Sequence, residues 1–310
     1  MLALPGTAQA RQGIDAALSP MNTGDIAYLF GAVERHLGGY HGRPPVVVLA
    51  EMQEDLEVLR DTLALPHRAA DRTELARTAA QLAGLVAIIH HDRGDQREAA
   101  AWFATAETAA AETGDRRTKA WVLARHAMLP LNYGAPRTAA DLAVRARNAA
   151  GEKPSAAAAL AAAVTARALA GAGDTHGALR AIRDAEHLAE HLSGEDLADT
   201  WFGYPAQKHH VHLSQANTML GRTRAAYAEQ LAALALTKSQ SVMTRALLGL
   251  DEAACQRIDG DHASAADLAV QVWTALPPEH RGGLIRSRTS ELQKTLGGGA
   301  AHRLAEALAA

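Results

Sequence analysis

A glycine that recurs at a fixed spacing, each time between two alanine-rich stretches, narrows the folds open to this chain more than any other feature. It stands at Gly94, Gly134, Gly173, Gly221 and Gly260, in the segments RGDQREAAAWFATAE, YGAPRTAADLAVRA, AGDTHGALRAIRDAE, LGRTRAAYAEQLAAL and DGDHASAADLAVQVW. Successive glycines are 40, 39, 48 and 39 residues apart. That is the period of helical-hairpin repeats, with one interval longer by about nine residues. A glycine at such a point ends one helix in left-handed backbone and opens a tight reversal into the next.

Small side chains keep the same register. Seven residues before each glycine stand Ala87, Ala127, Ala166, Ser214 and Ala253; five after it, Ala99, Ala139, Ala178, Ala226 and Ala265; twelve after it, Ala106, Ala146, Ala185, Ala233 and Val272. Fourteen of these fifteen are alanine or serine, in a chain that is nearly a quarter alanine, so the pattern exceeds what composition supplies. Alanine loses no side-chain entropy in a helix and lets paired helices approach closely. The expected fold is all-α: a right-handed superhelical solenoid of about five tetratricopeptide-like hairpins with capping helices.

The predicted pairs are 71–92 with 96–112, 116–132 with 136–150, 155–171 with 175–192, 205–220 with 223–236, and 242–258 with 262–275. In domain terms this gives a flexible N-terminal tail over 1–20 and N-terminal capping helices over 21–66, the second opening at Pro44 and Pro45, where proline suits a first turn. The repeats follow over 67–281, then a capping helix over 282–296 covering the open end, and a tail over 297–310 in which AHRLAEALAA can form a short helix.

Composition removes several function classes. A net charge of −3 leaves no basic stripe to neutralise a run of phosphates, so this chain alone is not expected to bind nucleic acid. Cys255 is the single cysteine, which excludes an internal disulfide and a thiolate metal cage, and fits a buried small hydrophobe in a repeat seam. No secretory leader or membrane span is legible, and the expected location is the cytoplasm.

The stretches FGYPAQKHHVHLSQANTMLGRTRAAYAEQLAAL from Phe202 and LDEAACQRIDGDHASAADLAVQVWTALPPEH from Leu250 resemble the tetratricopeptide-like C-terminal domains of actinobacterial XRE-family helix-turn-helix regulators. The likeness runs from about residue 21 to 296. It implies a regulatory binding module without a catalytic signature. Those regulators carry a DNA-binding domain ahead of the repeats, and no recognition helix fits MLALPGTAQARQGIDAALSPMN. The expectation is a stand-alone sensor, a truncated regulator, or a chain whose DNA contact is delegated to a partner.

The richest chemistry lies in WFGYPAQKHHVHL, residues 201–213, which falls in the longer interval. Loops inserted into a stack of repeats project from one face, often the binding face. Trp201, Phe202 and Tyr204 could stack on a ligand or fill a wedge between repeats. On a helix, His209 and His212 share a face and His210 turns away; no carboxylate follows one turn on to complete a metal site, so neither a metal nor another cofactor is expected.

First helices of such hairpins line the concave side, and their register offers Gln81, Ile88, His91, Trp121, Met128, Asn132, Arg167, Lys208, Gln215, Thr218 and Arg257 as groove residues. The ligand- or partner-binding set expected is Trp201, Phe202, Tyr204, Lys208, His209, His212, Gln215, Arg167, His91 and Asn132. The mix suits a small molecule or an extended peptide, with a protein scaffold, or an enzyme or accessory protein using His209 and His212, as rival readings. A homodimer is compatible with either binding role. His90, His91, Asp92 and His126 lack the nucleophile elbow of a hydrolase, and the glycines at 282–283 and 297–299 lack the flanks of a phosphate loop.

Overall fold

The computed structural model describes residues 23–38, 40, 43–236 and 241–309; the expected N-terminal tail lies outside them. Every regular element among the described residues is helical. The order is α1 (Thr23–His36), α2 (Pro45–Leu63), α3 (Ala69–Arg93), α4 (Gln96–Thr113), α5 (Arg116–Asn132), α6 (Pro136–Ala150), α7 (Ala156–Gly171) and α8 (Thr175–Glu190). After a short 3-10 turn at Gly194–Leu197 come α9 (Ala206–Met219), α10 (Thr223–Ala235), α11 (Val242–Ile258) and α12 (His262–Ala275). A second 3-10 turn, Pro278–His280, leads into α13 (Gly283–Thr295) and α14 (Gly298–Ala309).

Local chemistry accounts for these boundaries. Asp95, Asp174 and Asp261, each one residue past a repeat glycine, accept the backbone N–H of Glu98, Gly177 and Ser264, and so satisfy donors that a helix start leaves open. The five repeat glycines all have positive φ, from 68° at Gly221 to 97° at Gly260. Ser155 and Ser241 cap α7 and α11 in the same way as the aspartates.

Consecutive helices pair as five hairpins, α3 with α4, α5 with α6, α7 with α8, α9 with α10 and α11 with α12, and the first helices of neighbouring hairpins also touch in turn. All fourteen small residues of the register are fully buried, at 0 % exposure; only Val272 is partly open. Gly84 extends the principle, since a Cβ there would stand 2.5 Å from the Trp121 ring. The packing is that of a helical-repeat fold, in which small side chains set how closely the helices approach. At the N-terminal end, the buried Asp55 carboxylate of α2 accepts Tyr28 Oη at 2.7 Å and Arg35 Nη2 at 2.6 Å and pairs with His36 Nε2 at 2.7 Å, which ties α1 down.

The C-terminal end differs from the reading of the sequence. Residues 298–309, expected as a tail with a short helix at most, form α14 and cover α12, with Leu304 fully buried. That cover leaves α13 free for another place. It packs on α11, α12 and α14 but also reaches back to α3 and α5. The Ser287 hydroxyl donates to the Asn132 carbonyl at 3.2 Å, and the first turn of α13 lies so close to the end of α3 that a Cβ on Gly283 would overlap the Asp92 carbonyl oxygen. So α13 joins the last hairpin to the first two along the side where the first helices line up, rather than only sealing an end.

Candidate functional site

Four first helices are joined through their inner side chains. The Asp92 carboxylate accepts Tyr40 Oη at 2.8 Å and pairs with His91 Nδ1 at 2.8 Å; His91 Nε2 meets Asn132 Nδ2 at 2.9 Å. Asn132 Oδ1 accepts Arg167 Nη2 at 3.0 Å, and Arg167 Nη1 meets His212 Nδ1 at 3.1 Å. Donors and acceptors alternate consistently only if His91 carries its proton on Nδ1 and His212 on Nε2, so both rings are neutral by assignment from the network. His91, Asn132, Arg167 and His212 are each at most 7 % exposed, and they come from α3, α5, α7 and α9 in order. The structure therefore brings together four residues that the sequence placed on four separate repeats.

The longer interval folds against this network. Trp121 Nε1 and Arg125 Nη2 both donate to the Trp201 carbonyl, at 3.1 and 2.7 Å, and Lys208 Nζ donates to the Thr200 and Gly203 carbonyls at 2.9 and 2.6 Å. The Trp201 N–H in turn donates to the Leu37 carbonyl at 3.0 Å. The Tyr40 ring meets Trp201 edge-on at 5.5 Å, and the Phe202 ring lies 4.4 Å from Trp121. Tyr204 is buried, with its hydroxyl 3.3 Å from His209 Nδ1. Residues 200–203 are thus held as a bent segment, by carbonyls on fixed donors and by aromatic contacts.

Charge in this interior is unbalanced. Among the described residues, Arg125, Arg167 and the partly exposed Lys208 make no ion pair; their acceptors are backbone carbonyls, Asn132 and His212. Nε of both buried arginines has no hydrogen-bond partner among the described residues, although Arg125 also lies over the Trp121 and Trp201 rings. Asp199 is near enough to act on Lys208 without pairing with it, and two other nearby carboxylates are committed elsewhere. Asp92 serves His91 and Tyr40, and Asp251 accepts Ser214 Oγ at 2.9 Å and pairs with Arg288 of α13 at 2.6 Å. Burial of an unpaired cation costs several kcal/mol, and it displaces the pKa of such a group toward the neutral form. Burial lowers Arg125 to about 10 and Arg167 to about 9, the latter helped by Arg288, and lowers Lys208 well below its usual value. Burial also depresses His209 to about 4 and His212 well below the usual histidine range, where Arg167, Arg125 and Lys208 add to the effect.

Of the remaining expected groove residues, Gln215, Ile88, Thr218 and Trp121 are buried, while Gln81, Met128 and Arg257 are partly exposed. Phe202 is also partly exposed, and Cys255 is buried. His210 turns away as its register requires and pairs with Glu229 at 2.7 Å. Arg125 and Tyr40 are not among the residues the sequence singles out, and Asp92 stands there only in the hydrolase pattern. Arg125 has a signal, as a cation inside the apolar run AWVLARHAML; Asp92 has one as the neighbour of His91, whereas Tyr40 reaches it from 52 residues away and leaves no local pattern. Beside the loop, α8 and the start of α9 enclose a cleft of about 260 Å³, lined by Glu186, Glu190, Leu197, Tyr204 and His209 among others.

No protein-family model matches the chain, and no curated protein matches it. Among the described residues, no helix is long and apolar enough to cross a membrane.

Proposed function

We propose that this protein is a regulatory binding module, a right-handed tetratricopeptide-like solenoid whose inner face recognises a small molecule or peptide. The observation that carries the reading is the unbalanced set of Arg125, Arg167 and Lys208 on that face, satisfied by carbonyl oxygens of the chain's own 200–203 segment and by neutral side chains. A carboxylate or phosphate would answer these donors better than a carbonyl, because a charge-assisted hydrogen bond is about twice as strong as a neutral one. The favoured ligand therefore carries an anionic group next to an apolar or aromatic part, and it takes the place of the loop. Small rotations between neighbouring hairpins then accumulate along the stack. The link to transcription rests on the resemblance to XRE-family sensor domains, with DNA contact made by another domain or chain.

Thermal unfolding of the full chain tests this against inorganic phosphate, pyrophosphate, citrate, and aromatic peptides with free or amidated C-termini. The reading expects stabilisation by an anionic compound, absence of that stabilisation for its uncharged analogue, and loss of the ligand-induced shift in Arg167→Met and Lys208→Met. Equal shifts in wild type and both variants would remove the site.

A further inference from the structure

The last turn of α8 and its C-cap residue His191 read HLAEH, with His187, Glu190 and His191 at positions i, i+3 and i+4. Helical spacing puts these three side chains on one face. All three are exposed, and one ligand atom from each lies within 4.8 Å of the other two. The imidazole rings stand 4.6 Å apart at an angle of 51°.

Three further facts point to a cation here. The His191 Nδ1–H donates to the His187 carbonyl at 2.7 Å, which assigns the proton to Nδ1 and leaves the Nε2 lone pair outward. A backbone carbonyl on the second ring nitrogen is the usual companion of a metal-ligating histidine, since it fixes both tautomer and ring orientation. The site sits on a helix C-terminus, where the unsatisfied carbonyls favour positive charge. Glu190 also forms part of the wall of the cleft that Tyr204 and His209 line, so a ligand on an open coordination position has room beside it.

We propose that His187, Glu190 and His191 bind one divalent transition-metal ion of the zinc class, with Glu190 between the ion and the cleft. Two imidazoles and a carboxylate are a ligand set that zinc accepts, leaving a fourth position open to water or an anion. Ligand atoms on one tetrahedral zinc stand roughly 3.4 Å apart at bond lengths of about 2.1 Å. Exposed side chains close the remaining ångström or so by rotamer adjustment. The site lies outside the buried His91–Arg167–His212 network and does not depend on the ligand reading of that network.

Calorimetric titration of the chelator-treated full chain with zinc chloride tests it, in a buffer free of phosphate and imidazole. One site per chain is expected, with affinity falling at least tenfold in His187→Ala and in His191→Ala, whose circular dichroism matches wild type because both side chains are exposed. Fifteen histidines make other weak sites a concern, so copper(II) electron paramagnetic resonance supplies the second readout. Coupling to two imidazole nitrogens is expected in wild type and to one in either variant. No binding by wild type, or unchanged binding in the double variant, overturns the proposal. So does a pair of variants that lower the melting temperature while leaving metal affinity intact, since the histidines would then serve only the end of the helix.

Discussion

At the scale of the residue, the inner network carries a pH dependence with a definite sign. His209 and His212 are held neutral by burial and by neighbouring cations, so the unfolded chain takes up protons that the folded chain refuses. Above the unfolded value of about 6.5 neither state is charged and these groups contribute nothing to the slope. As pH falls from there toward the folded His209 value of about 4, each histidine lowers stability by up to about 1.4 kcal/mol per pH unit. Urea midpoints measured between pH 7.5 and 4.5 should fall accordingly, and more gently in His209→Gln. A slope unchanged by that variant would show that the ring is protonated in the folded state. The sequence made His209 and His212 visible as one helical face, but not that an arginine of the preceding repeat would meet His212, because spacing along one helix says nothing about rotamers on another.

At the scale of the element, glycine positions separate capping from contact. Gly114 and Gly283 both have positive φ, yet a Cβ on Gly114 meets nothing within 4 Å whereas one on Gly283 overlaps the α3 backbone. Gly114→Ala should therefore cost about 1 kcal/mol, for backbone strain alone. Gly283→Ala should cost at least about twice that, because α13 must also move off α3. Chemical denaturation reads the difference, and equal costs would mean that α13 is not seated there. The hairpins and their turns were legible because glycine and alanine act locally, through backbone conformation and helix separation. The seat of α13 was not, since Gly282 and Gly283 look like any loop glycines until the far end of the stack arrives beside them. Helix α14 was underread for a related reason: three glycines before AHRLAEALAA suggest a tail, whereas burial of Leu304 supplies the stabilisation that local propensity lacks.

At the scale of the whole molecule, the stack closes on its own interior. The 200–203 segment and α13 occupy the side on which the first helices line up, so the proposed ligand would have to displace one of them. The loop is the more readily displaced, because its carbonyls are neutral substitutes for an anion, whereas α13 contributes the Arg288–Asp251 ion pair. Amide hydrogen exchange of the full chain, with and without whichever anionic compound raises its melting temperature most, tests this displacement directly. The account predicts faster exchange at 198–204 on binding, together with slower exchange over the inner helices at 121–132, 160–171 and 206–215. Protection confined to the outer helices, unchanged exchange at 198–204, or the absence of any stabilising anion would contradict it.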